Sequence, residues 1–171
     1  LGNAGASGTL VIDDTGLIGQ IQLTLDVNLG SSVGLDISGD ALFQINTTGI
    51  DQTITVLNIE DSSTENVLVE SGLLIRISGA VDFVGFLSGT GTITIQYFTA
   101  TSDRLAGLYL GGNVQVDIAG LVVVDLNLYA LITSAGLTLD TGVKFKLKVA
   151  GIIGLDVEGR LVINTTATPV T

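Results

Sequence analysis

The chain contains no cysteine, histidine, methionine or tryptophan, and its one proline is Pro169. Without cysteine there are no disulfides, so the fold must hold by backbone pairing and burial. Without His and Cys there are no His/Cys metal sites, no Ser-His or Cys-His nucleophile pairs, no thiol redox chemistry and no haem ligation. Charge is also scarce, at 13% of residues, and it is one-sided: 6 basic against 17 acidic side chains give a net charge of −11. Such a chain repels phosphate backbones, which excludes a nucleic-acid partner. Mean hydropathy is nevertheless +0.64, so either the core is large or apolar surface is covered by partners. No helical run rich in Ala, Glu, Lys and Leu occurs. The segment Gly85-Phe86-Leu87-Ser88-Gly89-Thr90-Gly91 has the glycines of a phosphate loop but not its Lys-Ser/Thr ending or following helix, and reads as a bend or turn. Nothing sets two carboxylates against a substrate cleft, so no enzyme is expected.

What the chain does have is alternation. From Leu17 to Ile45 nearly every odd position is apolar or Gly, and the even positions are mostly polar. Period two is the signature of β-strands with one buried face. The same pattern returns from Leu73 to Ile95 in odd phase, from Val114 to Ile132 in even phase, and from Phe145 to Ile163 in odd phase. Fully extended, the first tract alone would reach roughly 95 Å, against a radius of gyration of roughly 16 Å for a compact chain of this length. The phase does not slip at Gly30, Gly79, Gly120 or Gly151, whereas a two-residue hairpin would swap it. Strands kinked at the apolar-phase glycines Gly79, Gly120, Gly151 and Gly159 are therefore expected, with hairpins of three-residue loops as the alternative. The fold class is all-β: long Gly-kinked antiparallel strands in an elongated tandem-repeat architecture, sandwich or solenoid-like.

Repetition is the second signal. Gly34-Leu35-Asp36-Ile37-Ser38-Gly39 is matched by Gly154-Leu155-Asp156-Val157-Glu158-Gly159, and Ile45-Asn46-Thr47-Thr48 by Ile163-Asn164-Thr165-Thr166. The offset is 120 at the first match and 118 at the second, and a change of two leaves the buried face unchanged. This implies one unit over 1–120 and the start of an equivalent unit over 121–171, or a single continuous β domain. A start at Leu1 without a Met or signal peptide fits a piece cut from a longer array. The segments Leu42–Gly49 and Gly159–Thr166 resemble the repeat regions of very large secreted or surface proteins of bacteria. That resemblance implies an extracellular structural or adhesive role and carries over no catalytic residue.

Candidate sites are few. Asp13 with Asp14, Asp36 with Asp40, and Asp26 with Asn28 are the only calcium candidates. None forms an EF-hand or β-helix calcium loop, and Asp36 and Asp40 would stand about 13 Å apart on an extended strand. No cofactor is expected beyond an admissible calcium ion. Lys144, Lys146 and Lys148 put half of the basic residues on one face of one strand. They make either a salt-bridge ladder with Asp117, Asp125, Asp156 and Glu158, within or between subunits, or the protected edge of a sheet. The tract Leu121–Ile132 is apolar on both faces, too short and too polar for a membrane helix. It reads as a strand covered on both sides, with Leu121, Val123, Tyr129 and Leu131 as contacts to a second sheet or a neighbouring protomer. Asn46 and Asn164 head Asn-x-Thr sequons, which either accept glycan or end a strand.

Three functions remain: a structural unit of a fibre, stalk, surface layer or adhesin, self-associating by strand pairing and sheet packing as a homo-polymer or long multi-repeat chain; a lipid-binding β-groove; and a segment of a membrane β-barrel, for which five Phe, three Tyr and no Trp make poor aromatic girdles.

Overall fold

The computed structural model describes residues 2–28, 34–58, 61–83, 86–102, 104–149 and 153–167. They form the strands β1 (Asn3–Asp13), β2 (Gly16–Asn28), β3 (Leu35–Asn46), β4 (Gln52–Asn58), β5 (Thr64–Val69), β6 (Gly72–Phe83), β7 (Leu87–Phe98), β8 (Gly107–Ile118), β9 (Val122–Thr133), β10 (Gly136–Val149) and β11 (Ile153–Asn164). All lie in one open sheet, in the order β11-β10-β9-β8-β7-β6-β3-β2-β1-β4-β5, and every pairing is antiparallel. No helix occurs among the described residues. The β4–β5 hairpin is an insertion in an up-and-down meander. It pairs with the edge of β1 at Ser7–Asn58 and Gly8–Leu57, and packs over β2 and β3.

The expected kinked strands are not formed; the alternative of short hairpins is. The chain turns back at the ends of twelve-residue strands, because reversal gives each strand a ladder partner for its backbone N–H and C=O groups, which a single extended tract would lack. The phase survives because of the loop lengths. Ile118 pairs with Val122 across the three residues Ala119, Gly120 and Leu121, which keeps parity, and both Ala119 (φ 52°) and Gly120 (φ 65°) take left-handed conformations to close it. The two-residue turns Asp14-Thr15 and Ser134-Ala135 swap parity, and the second of them accounts for the change from even to odd phase before Phe145. Gly79 and Gly159 sit inside straight ladders of β6 and β11; Gly30, Gly85 and Gly151 lie outside the described residues.

Among the described residues all eleven strands share a single open sheet. The sheet also runs without a break past residue 120, which falls in the β8–β9 turn. The buried apolar cluster is small and local: Ile18 of β2, Ile54 and Val56 of β4 and Val69 of β5, with Val67 against it. Ile18 is an apolar residue in the polar phase of β2, so the hairpin covers the polar-phase face. Beneath it the buried Gln20 accepts a 2.6 Å hydrogen bond from the Gln44 amide.

Candidate functional site

The cross-strand registers bring every apolar phase to the same side. One continuous row reads Ala6, Leu23, Ala41, Ile77, Ile93, Gly112, Leu128, Thr141 and Leu161, one residue from each of nine neighbouring strands. The rows above and below are equally apolar, and no charged residue of these strands falls in this phase. In the chain this face is open: Leu23, Ile77, Ile93 and Leu161 are each more than half exposed. Nine strands at about 4.8 Å spacing and about 33 Å of strand length give a surface of roughly 1,400 Å², far beyond the apolar patch of an ordinary monomer.

The repeated Asn-Thr-Thr segments close the same structure twice. The Thr47 N–H donates to the Leu17 carbonyl at 2.9 Å, and the Thr47 hydroxyl accepts from the Leu17 N–H at 2.9 Å. Thr165 does the same to Leu137, at 2.9 and 2.8 Å. Asn46 Oδ1 accepts from both the N–H and hydroxyl of Thr48, and Asn164 Oδ1 from those of Thr166. At each place the strand before begins at a glycine of positive φ, Gly16 (146°) or Gly136 (134°), where a Cβ would collide with the threonine hydroxyl. The two differ in burial. Asn46 is 1% exposed beneath the hairpin, its Nδ2 donating to the carbonyls of Ile50 (2.8 Å) and Val69 (2.9 Å). Of the two readings of this sequon, the strand end is the one realised at Asn46, since no glycan can reach that nitrogen in the folded chain. Asn164 is exposed.

The other candidates from the sequence are scattered or differently placed. Asp13 caps its own turn, accepting from the Thr15 hydroxyl (2.6 Å) and N–H (2.8 Å), which holds its carboxyl below the ordinary value. Asp14 follows it in the same turn. Asp40 accepts from Thr24, and Asp36 faces Asn28 on one side and Asp82 on the other. Among the described residues no group of three His, Cys, Asp or Glu could hold a metal ion. The lysines Lys144, Lys146 and Lys148 do not guard an edge: β10 is paired on both sides. Of the ladder partners, Glu158 meets Lys144 at 3.3 Å, Asp156 stands opposite Lys146, and Asp125 accepts from Gln115. Leu121 lies in the β8–β9 turn, and Val123, Tyr129 and Leu131 are on the polar-phase side of β9, where Tyr129 is 42% exposed.

Sequence reasoning missed a cavity on this polar side. It measures about 520 Å³ and is lined from β7 to β11 by residues including Thr92, Thr94, Tyr109, Gly111, Asn113, Asn127, Tyr129, Asp140, Gly142 and Arg160. Gly111 and Gly142 leave the depression. The Tyr109 ring lies over the buried Gly111, where a Cβ would strike its hydroxyl end, and Tyr129 meets it edge-on at 5.5 Å. Asp140 is gripped by Arg160 through two hydrogen bonds, Nε to Oδ1 at 2.9 Å and Nη2 to Oδ2 at 2.6 Å. That contact lowers the Asp140 carboxyl and raises the Arg160 guanidinium. The signal was present: both tyrosines stand out of phase with the even-numbered apolar positions around them.

No protein-family model, no curated protein and no solved structure matches this chain.

Proposed function

We propose that the chain is a structural unit of an extracellular or cell-surface assembly, a piece of a wide amphipathic sheet that grows by strand pairing at its edge and buries its apolar face against copies of itself. The observation that carries this reading is the uncharged face of nine strands, open to solvent in the single chain. Two such faces packed together would bury roughly 2,800 Å², within the range of obligate homodimers. The acidic polar faces then point outward and keep the assembly soluble. The twofold closure at Asn46-Thr47-Thr48 and Asn164-Thr165-Thr166, with the same partners and the same face, supports a tandem repeat in which β9, β10 and β11 restart what β1, β2 and β3 begin. A chain without Cys, His, Met or Trp suits an oxidising exterior.

A second reading has hydrocarbon on the same face, as acyl chains in a lipid-binding groove or as the bilayer around a barrel segment. Strand length favours it, since about 33 Å of apolar height matches a hydrocarbon core of about 30 Å. One experiment separates the two. Purified chain at tens of micromolar is examined by sedimentation velocity and electron microscopy, and its extract by lipid mass spectrometry. Multi-copy particles free of lipid, dissolved by Leu23→Lys with Ile77→Lys and Leu128→Lys but not by Gln22→Lys with Ser78→Lys and Asn127→Lys, are expected. Stoichiometric lipid, or dispersion only in detergent, transfers the face to hydrocarbon. A lipid-free monomer overturns both.

A further inference from the structure

We propose that the polar-side cavity between β7 and β11 binds a neutral saccharide. The ligand class follows from what lines the cavity and what is already neutralised there. Its floor is built on Gly111 and Gly142, with the Tyr109 ring laid over the first and Tyr129 standing 5.5 Å away at 60°. An aromatic face carries negative charge density and attracts the polarised C–H groups of a sugar ring, while its hydroxyl stays in water. Beside the rings, Asn113 and Asn127 face each other directly across the β8–β9 ladder. Among the described residues none hydrogen-bonds to either amide, so each offers a donor pair and an acceptor toward the opening. Thr92 on β7 adds a hydroxyl at the same level.

The charges argue for a neutral guest. Asp140 and Arg160 hold each other by a two-bond fork, and Glu158 is paired with Lys144. An anion such as phosphate would need a guanidinium freed from Asp140, and a cation would need the carboxylate freed from Arg160. Hydroxyl groups need neither, because they accept hydrogen bonds from the fork's remaining N–H groups and donate to its remaining lone pairs without breaking it. A volume of about 520 Å³ lies within the range of small-molecule sites. The walls are too polar for an acyl chain, which the opposite face of the sheet would accommodate instead. The site is independent of the assembly reading, since it uses the other face.

The protein supplies its own probe. It has no Trp and only three Tyr, of which Tyr109 and Tyr129 are in the cavity and Tyr97 is on the apolar face. In the full chain carrying Tyr97→Phe, tyrosine emission therefore reports the cavity alone. Titration with maltohexaose, cellohexaose and laminarihexaose is expected to give a saturable change with at least one of them. Asn127→Ala should weaken it at least tenfold, and Tyr129→Leu should abolish binding measured by calorimetry, both with an unchanged far-ultraviolet spectrum. Failure of all three sugars to bind at 10 mM overturns the proposal. So does binding that survives both substitutions, and so does a response confined to a charged oligomer, hexagalacturonate, used as the fourth probe.

Discussion

The same three residues, Asn-Thr-Thr, carry very different weight at their two positions, and burial sets the difference. Asn46 donates to the Ile50 carbonyl and, at a buried contact, to the Val69 carbonyl, whereas the exposed Asn164 accepts from Thr166 in its own turn. Truncating Asn46→Ala takes the donor from the buried Val69 contact, while the Ile50 carbonyl keeps the Thr48 hydroxyl at 3.1 Å, and is expected to cost about 2 kcal/mol; Asn164→Ala should cost less than about 1 kcal/mol. Urea denaturation of the two variants side by side checks this, and equal losses would contradict it. A second residue-scale prediction concerns pH. Arg160 depresses the Asp140 carboxyl below its ordinary 3.8. A carboxyl lowered in the folded state contributes stability above its unfolded value, and that contribution disappears as pH falls through the lower folded value. The contribution is small because the pair is exposed and screened. Arg160→Gln should return the Asp140 titration, followed by carboxyl-carbon NMR, upward toward the ordinary value; an unmoved titration would mean that the fork does not persist in solution.

At the scale of elements, the buried apolar cluster found among the described residues is the one the β4–β5 hairpin makes with Ile18, and that cluster is thin. Val69 is 0% exposed and packs with Ile18, Ile54 and Val56. Val69→Ala is expected to cost about 2 kcal/mol, paid locally. Amides of Gln52–Val69 should exchange faster by hydrogen exchange, while those of β8 to β10, held by ladders on both sides, keep their protection. Acceleration throughout the sheet would show one cooperative unit instead. This hairpin was also the least legible element in the sequence. Its alternation, Ile54 and Val56 against Thr53 and Thr55, is short, and nothing local says that it folds across the face opposite to the long apolar phase. Eight of the nine long strands, β2, β3 and β6 to β11, were in contrast legible as β-structure with one apolar side, because period two survives any register that shifts by two. Their boundaries were not, because a three-residue loop such as Ala119-Gly120-Leu121 leaves the phase intact and is invisible to a parity count. The cavity was hidden for a related reason: Tyr109, Asn127 and Asp140 are far apart in sequence and meet only when two registers are known.

For the whole molecule, the decisive feature is that a nine-strand meander ends in a bare edge. β11 is paired to β10 over its full length and, among the described residues, to no strand on its other side, whereas the opposite end of the meander is partly occupied by β4 on β1. The hydrogen bonds fix which groups that edge presents. Thr165 donates to Leu137 of β10, so in alternation the odd residues of β11 bond inward and the N–H groups of Asp156, Glu158, Arg160 and Val162 point outward. Proline at Val162 therefore removes a donor from the free edge without touching the internal ladder, and an edge strand tolerates it. Proline one residue earlier, at Leu161, removes a bond to β10. If units join by adding a strand at β11, Val162→Pro should shorten the assemblies seen by electron microscopy while thermal stability changes by less than about 1 kcal/mol, and Leu161→Pro should lower stability by about 3 kcal/mol or more. Should Val162→Pro assemble like the parent chain, growth does not use this edge, and the apolar face alone would have to hold neighbouring copies together.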